Sequence, residues 1–127
     1  MINPGKINTG KNGERMAVDF LKKNGYAIIE TNFKNYLGEI DIIARDKGVI
    51  CFVEVRARRA PAGMEEILDS IGRNKQFRLS RLALSFLKEK KLTDARARFD
   101  IVSVRFSDEG DDVNIFKNAF EVCQKYI

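Results

Sequence analysis

Two apolar runs that contain acidic residues lie next to each other in the sequence and predict an antiparallel β-hairpin. The first run is Gly38 to Arg45, the second is Val49 to Ala57, and Lys47-Gly48 forms a short turn between them. Their Ile, Val and Phe residues are typical of strands. Because such strands usually belong to a core, where unpaired carboxylates are rare, Asp41 and Glu54 need an explanation.

The alternation of residues predicts how the two strands pair. A two-residue turn puts Asp41 directly opposite Glu54, with Cβ atoms about 5 Å apart, and it puts Glu39 opposite Arg56. A shift by one residue would scatter charge over both faces, so the hydrophobic pattern opposes it. In the predicted register one face of the hairpin is wholly apolar and carries Ile40, Ile42, Ala44, Cys51, Val53 and Val55.

Two interpretations of this acid pair remain open from the pattern. Opposed like charges destabilise a sheet unless something neutralises them. A Mg²⁺ or Mn²⁺ ion would do so, because both ions take oxygen ligands. Alternatively, Glu39 and Arg56 form an ordinary cross-strand ion pair, and Asp41 and Glu54 lie on a solvated face.

A third acid, Glu14, precedes the apolar stripe of a predicted first helix by one turn. Ala17, Val18 and Leu21 belong to that stripe. Glu14 therefore lies at the margin of the buried face, where it can point at the sheet. The alternative is an exposed acid in the first helical turn, which the helix dipole favours.

The remaining patterns predict a single domain with the element order α-β-β-β-α-α-β-β. We expect residues 1–9 to be a flexible N-terminal arm and residues 10–127 to be one domain. Thr9 or Asn12 caps the first helix, which runs to about Asn24 and stops at Gly25. Besides the hairpin, the pattern predicts strands at residues 26–33, 97–106 and 113–116 and helices at residues 64–71 and 74–90. This order indicates an α/β fold in which helices flank a mixed β-sheet.

The composition narrows the chemistry that the chain can perform. Among the 127 residues there is no histidine, which excludes a Ser-His-Asp triad and a histidine metal site. The two cysteines, Cys51 and Cys123, are interpreted as reduced thiols of a cytoplasmic protein. No apolar run is long enough to span a membrane. A net charge of +5 and a pI near 9.3 favour polyanionic partners.

Six short motifs together resemble a known family. They are, in order, Gly13-Glu14, Gly38-Glu39-Ile40-Asp41, Phe52-Val53-Glu54-Val55-Arg56, Lys75-Gln76, Arg98-Phe99-Asp100-Ile101-Val102 and Ala119-Phe120. From about Gly10 to Phe120 the chain resembles the YraN-type family of small bacterial proteins. That family is itself similar to archaeal Holliday-junction resolvases and restriction endonucleases.

The resemblance implies a restriction-endonuclease-like core and a role for each matching residue. It implies that Asp41 and Glu54 are metal-binding acids, that Glu14 is the helical acid of the same site, and that Arg56 holds the basic position of a Glu-x-Lys motif. Most nucleases of this class have lysine there, which can lose a proton and help to activate water. Arginine keeps its proton, since its pKa exceeds about 12, but it can still bind a phosphate.

Basic residues near these acids predict a surface that binds nucleic acid. Arg58 and Arg59 follow Arg56 into a basic loop, and Lys75, Arg78 and Arg81 line one face of a helix. Such side chains hold phosphates without reading sequence, although a solvated helix face is the simpler interpretation of the helix alone. The resemblance adds weight to Lys75 and Gln76. The aromatic and basic residues do not alternate in a pattern that would predict a platform for stacking single-stranded bases.

Three functions are consistent with the sequence. The first is a metal-dependent nuclease that hydrolyses DNA, with Mg²⁺ or Mn²⁺ as cofactor and branched DNA as the substrate that the resemblance favours. The second is a non-catalytic nucleic-acid-binding module with the nuclease fold. The third is a protein-interaction domain whose acids form only ion pairs. The sequence leaves the oligomeric state open, and because resolvase-like proteins often pair, a homodimer is among the expected states.

Overall fold

The computed structural model describes residues 4–61 and 63–122, with side chains from residue 10 onward except that of Met64. The predicted element order is confirmed. The elements are α1 (Pro4–Lys23), β1 (Ala27–Asn35), β2 (Gly38–Asp46), β3 (Val49–Arg59), α2 (Met64–Asp69), α3 (Arg73–Glu89), β4 (Ala97–Phe106) and β5 (Asp112–Phe120). In this part of the chain no helix combines the length and apolarity needed to cross a bilayer.

The five strands form one mixed sheet in the order β1-β2-β3-β4-β5. Strands β3 and β4 are parallel, and the other neighbouring pairs are antiparallel. A parallel pair needs a crossover connection, and α2 and α3 provide it. The predicted mixed sheet with flanking helices is therefore confirmed.

Helix α1 ends as predicted but begins earlier. The Tyr26 amide donates to the Leu21 carbonyl at 3.0 Å, and the Gly25 amide donates to the Lys22 carbonyl at 3.1 Å. With Gly25 at φ +89°, this is a Schellman motif, which glycine favours. The predicted start at Thr9 or Asn12 is wrong, because α1 begins at Pro4. Proline is favoured in the first turn, where its missing amide hydrogen is not needed. The division into an arm and one domain stays a prediction.

Each face of the sheet has its own core. On one face, Phe86 of α3 makes edge-to-face contacts with Phe33 and Phe52, with ring centroids 5.3 and 5.9 Å apart. The predicted buried stripe of α3 is confirmed and comprises Leu79, Leu82, Ala83, Phe86 and Leu87. On the other face, Ala17 and Leu21 of α1 are fully buried against the sheet. The sheet is therefore covered on both sides.

The predicted hairpin register is confirmed in its inner half and fails at its outer end. Ile42 pairs with Val53, as predicted. The regular β2–β3 pairing in the structure stops there, so Asp41 and Glu54 are not a backbone pair, and neither are Glu39 and Arg56. The predicted apolar face is wrong at Ile40, which packs in the α3 core instead. The cause lies next to Ile40, where the Asp41 carboxylate accepts the Val55 amide hydrogen at 2.8 Å in place of a backbone carbonyl.

A buried charge network stabilises the opposite end of the sheet. Asp100 is fully buried and accepts hydrogen bonds from the Tyr26 hydroxyl at 3.0 Å and from Arg98 Nε at 2.9 Å. Arg98 also pairs with Asp46 at 2.7 Å, and this contact lowers the pKa of Asp46. Asp100 is thus fully engaged within the protein. Cys51 is a buried free thiol, and Cys123 lies outside the described residues.

Candidate metal centre

Asp41 lies where β2 and β3 separate, and it borders two clefts. The α3 cleft, of about 300 Å³, has Glu39, Asp41, Glu54, Lys75 and Arg78 among its lining residues. The α1 cleft, of about 560 Å³, has Lys11, Glu14, Arg15, Asn32 and Asp41 among its lining residues. Asp41 is the member that the two clefts share. One carboxylate therefore faces both sides of the sheet end.

The predicted contact between Asp41 and Glu54 is present, although it does not come from backbone pairing. Burial, the charge of Glu54 and a hydrogen bond with Glu54 together raise the pKa of Asp41 to about 7. The Val55 amide and Lys75 act in the opposite direction. Near neutral pH the Asp41 carboxylate therefore favours a neutralising proton or cation.

Among the described residues, Glu54 has a single charge partner. Its side chain is 7% exposed, and its Oε1 lies 3.5 Å from Lys75 Nζ. In the described part of the chain no donor reaches its Oε2, although that atom is buried. An unsatisfied buried carboxylate oxygen is rare because its desolvation is costly. Such an atom points to a ligand that is outside the protein chain.

A second group of acids meets at Asp41 from the α1 side. Carboxylate oxygens of Glu14, Glu39 and Asp41 all lie within 4.8 Å of one another. Asn32 connects two of them, because its Nδ2 donates to Glu39 Oε1 at 2.8 Å and lies 3.3 Å from Glu14 Oε2. Asn32 has φ +53°, a left-handed conformation that asparagine tolerates. The kinked strand thus aims its amide at the acids.

A close approach of α1 to the sheet positions Glu14. Gly13 precedes it and is buried, and a Cβ built on Gly13 would lie only 2.8 Å from Ala57 Cβ in β3. Only glycine leaves room for the helix backbone at this distance. In the Gly13-Glu14 motif, Gly13 therefore allows the close packing that brings Glu14 near Asp41.

The structure brings the three predicted metal ligands together around one residue and adds a fourth acid. Asp41 contacts Glu54 on one side and lies in the cluster with Glu14 on the other. Glu39 belongs to the same cluster, and the alternative interpretation, an ion pair between Glu39 and Arg56, is absent among the described residues. Glu39 instead pairs with Lys34 at 3.6 Å. The alternation of residues in β2 already put Glu39 and Asp41 on the same strand face, so the sequence contained a signal that Glu39 lies near Asp41.

The arrangement fits a hard divalent cation. All four side chains offer carboxylate oxygens, which are the ligands that Mg²⁺ and Mn²⁺ prefer. The raised pKa of Asp41 and the unpartnered Oε2 of Glu54 indicate negative charge that the protein itself leaves uncompensated. A cation between these acids would relieve both.

Arg56 does not turn toward the acids. Its Nη2 lies 3.5 Å from the Ser70 carbonyl oxygen at the end of α2, and its buried Nε has no hydrogen-bond partner among the described residues. The cation that contacts Glu54 is Lys75, which comes from α3. The role implied for Arg56 by its sequence position stays a prediction, and Lys75 is the basic residue that the geometry puts beside the acids.

The other predicted phosphate-binding residues separate into three places. Arg78 lines the α3 cleft beside Lys75, and Arg81 is exposed farther along the same helix. Gln76 points elsewhere, since its Nε2 donates to the Ile71 carbonyl at 3.1 Å. The exposed residues Arg58 and Arg59 lie at the end of β3. Of the predicted phosphate-binding residues that the structure describes, Lys75 and Arg78 are the two that line a cleft together with the acids.

Comparison with known proteins gives a consistent result. A model of the "Uncharacterised protein family UPF0102" matches residues 13–104. A UPF0102 protein of Syntrophus aciditrophicus is 44% identical over 118 residues, which is 92% of this chain and 91% of the relative. A UPF0102 protein of Desulfosudis oleivorans is 46% identical over 112 residues, or 88% of this chain and 89% of the relative. The chain therefore belongs to UPF0102, the YraN-type family.

Proposed function

We propose that this protein is a metal-dependent nuclease that hydrolyses phosphodiester bonds in DNA. The observation that carries the proposal is the convergence of three other acids, Glu14, Glu39 and Glu54, on Asp41, whose pKa is raised to about 7. Ion pairs within the protein would lower the pKa of an acid, whereas burial and the neighbouring Glu54 raise the pKa of Asp41. Strongly perturbed acids in a cleft are typical of functional sites.

Each residue around the site has a distinct task. Asp41 would hold the cation together with Glu54, Glu39 and Glu14; Glu39 and Glu54 line the α3 cleft, and Glu14 lines the α1 cleft. A divalent ion at this position supplies Lewis-acid chemistry and lowers the pKa of water. Lys75 lies beside Glu54, where its ammonium group can bind a phosphate oxygen of the substrate. The Val55 amide keeps the Asp41 carboxylate oriented through their 2.8 Å hydrogen bond.

The surrounding charge supports a polyanionic substrate. Lys75 and Arg78 border the α3 cleft, and Lys11 and Arg15 border the α1 cleft. Phosphate contacts from such residues give affinity without sequence preference and depend strongly on salt. The choice of branched DNA as substrate rests on the resemblance to Holliday-junction resolvases alone.

A non-catalytic nucleic-acid-binding module is the second candidate, and Arg56 favours it. Arg56 cannot release a proton at neutral pH, and its guanidinium group lies against Ser70 and not against the acids. A protein that kept the fold and lost turnover would keep the basic surroundings of the clefts. The two candidates differ in whether bound DNA is cut.

The test is a cleavage assay with a matched pair of variants. Labelled duplex, flap and four-way-junction DNA are incubated with the wild type, with Asp41→Asn and with Asp108→Asn, in Mn²⁺ or in EDTA. Asp108 is exposed in the β4–β5 turn, so its substitution removes one charge far from the clefts. We expect cutting in Mn²⁺ that Asp41→Asn abolishes and Asp108→Asn retains.

The other outcomes decide between the candidates. Salt-sensitive binding without cutting, unchanged in Asp41→Asn, would support the binding module. Cutting that persists in EDTA would contradict a metal-dependent mechanism. A failure to bind any of the three DNAs at low salt would remove both candidates.

A further inference from the structure

An exposed tyrosine lies next to the candidate site on a rigid turn. Tyr36 and Leu37 form the two-residue turn between the paired residues Asn35 and Gly38. Tyr36 is 90% exposed, so its ring contributes almost nothing to the core. This ring is the most exposed large hydrophobic side chain in the described part of the chain.

The turn is fixed by hydrogen bonds to itself and to α3. The Leu37 amide donates to Asn35 Oδ1 at 2.8 Å, and Asn35 Nδ2 donates to Ser85 Oγ at 3.1 Å. Gly38 has φ +139°, which strongly favours glycine. The Tyr36 ring is therefore held at a defined place beside α3, which lowers the entropic cost of using it for binding.

The ring borders a shallow basic cleft. This Tyr36 cleft, of about 320 Å³, is lined by Tyr36, Leu37, Arg81, Leu84, Ser85 and Lys88. Its lining contains two cations and no acid. In the described part of the chain neither Arg81 nor Lys88 forms an ion pair. The cleft thus combines an aromatic face, an apolar floor that includes the half-exposed Leu84, and two unpaired positive charges.

The Tyr36 cleft continues into the α3 cleft. Leu37 lines both, and the basic residues Lys75, Arg78 and Arg81 lead from one to the other along α3. The five residue-to-residue steps from Tyr36 to Asp41 span at most about 18 Å of backbone. A nucleic acid with its phosphate at the acids can therefore extend to the tyrosine within a few nucleotides.

We propose that the Tyr36 cleft stacks an unpaired base of a nucleic acid whose backbone follows the basic face of α3 to the acid site. The inference rests on the proposed function, because it names the kind of nucleic acid that the same site would take. Aromatic rings stack on bases of any sequence, and neighbouring cations hold the phosphates. A base inside a duplex has no free face, so the cleft selects single strands, flaps and junctions with unpaired nucleotides over continuous duplex.

The sequence contains no tryptophan, so Tyr36→Trp introduces a single fluorescent reporter in the cleft. Its fluorescence is titrated in EDTA with a single-stranded oligonucleotide, with the blunt duplex, and with an abasic strand of equal length and charge. Ile29→Trp is the matched control, because Ile29 is an exposed apolar residue near the other end of β1. We expect the single strand to quench Tyr36→Trp, and the duplex and abasic strand to leave it nearly unchanged.

Binding affinity gives a second measure of the same contact. Tyr36→Ala should weaken single-strand binding about 5- to 100-fold and leave duplex binding nearly unchanged. Since the side chain is exposed, its removal should not alter unfolding by urea. Equal quenching by the abasic strand, or unchanged single-strand affinity in Tyr36→Ala, would overturn the proposal. So would self-association that Tyr36→Ala abolishes in a protein that binds no nucleic acid.

These readouts are separate from cleavage. They are taken in EDTA, so quenching without cutting in the Mn²⁺ assay would support the stacking site and count against the nuclease. If the protein cuts DNA but the fluorescence of Tyr36→Trp does not change with single strands, the nuclease is supported and the stacking site is overturned.

Discussion

Asp41→Asn should stabilise the metal-free protein at neutral and alkaline pH, although it removes a charge from the candidate site. The pKa of Asp41 rises from 3.8 to about 7, and each tenfold change in proton affinity is worth about 1.4 kcal/mol. Ionising Asp41 in the folded protein therefore costs up to about 4 kcal/mol above pH 7. Asparagine avoids this cost, its oxygen can still accept the Val55 amide hydrogen, and its NH₂ group can donate to Glu54.

The pH dependence follows from the sign of the pKa change. An acid whose pKa is higher in the folded state binds its proton more tightly when folded. Stability therefore falls as the pH rises from about 4 to about 7, and only the wild type has this loss. Allowing for the partial exposure of Asp41, we expect Asp41→Asn to be about 2 to 4 kcal/mol more stable at pH 8, with the difference vanishing near pH 4.

The assay is urea unfolding in EDTA at several pH values, extrapolated linearly to water. Asp108→Asn is the control and should change the free energy of unfolding by less than about 0.5 kcal/mol at every pH. If Asp41→Asn is less stable than the wild type at pH 8, or if its effect is the same at pH 4 and pH 8, the uncompensated acid site does not exist.

Further substitutions test other parts of the account. Gly13→Ala should destabilise the fold by about 1 to 3 kcal/mol through its clash with Ala57, and Ala57→Gly in the same chain should restore the loss. Gly10→Ala, where a Cβ meets nothing within 4 Å, should instead stabilise α1 by up to about 1 kcal/mol in urea unfolding. Tyr26→Phe should cost about 1 to 3 kcal/mol in the same assay, since its hydroxyl joins a buried network. Arg78→Ala should lower the salt slope of DNA binding by about 0.7 to 0.9, measured by fluorescence anisotropy.

The sequence predicted the regular parts of the fold well. The two-residue turn at Lys47-Gly48 set the predicted register from Ile42 to Asp46, and the pairing with β3 is as expected. The α3 stripe was readable because its apolar spacing matches the helical period. The start of α1 was missed because two polar residues that commonly cap helices, Thr9 and Asn12, lie inside it.

The site was predictable in its residues and less so in its geometry. The register predicted from alternating residues assumes that backbone pairing continues regularly along both strands. It therefore could not anticipate that the Asp41 side chain takes the place of a backbone carbonyl. Asn32 was not singled out, although asparagine is depleted in strands and its presence in β1 was a usable signal. The direction of Arg56 depends on where α2 ends relative to β3, a long-range contact that no local pattern encodes.

Binding of Mn²⁺ tests the central claim most directly. Titration of the wild type at pH 7.5, followed by the loss of the free Mn²⁺ signal in electron paramagnetic resonance, should show a saturable site. Asp41→Asn and Glu39→Gln should each weaken this site by at least about tenfold, while Asp108→Asn leaves it unchanged. Equal Mn²⁺ affinity in the wild type and Asp41→Asn would contradict the claim that the acids around Asp41 hold a divalent cation.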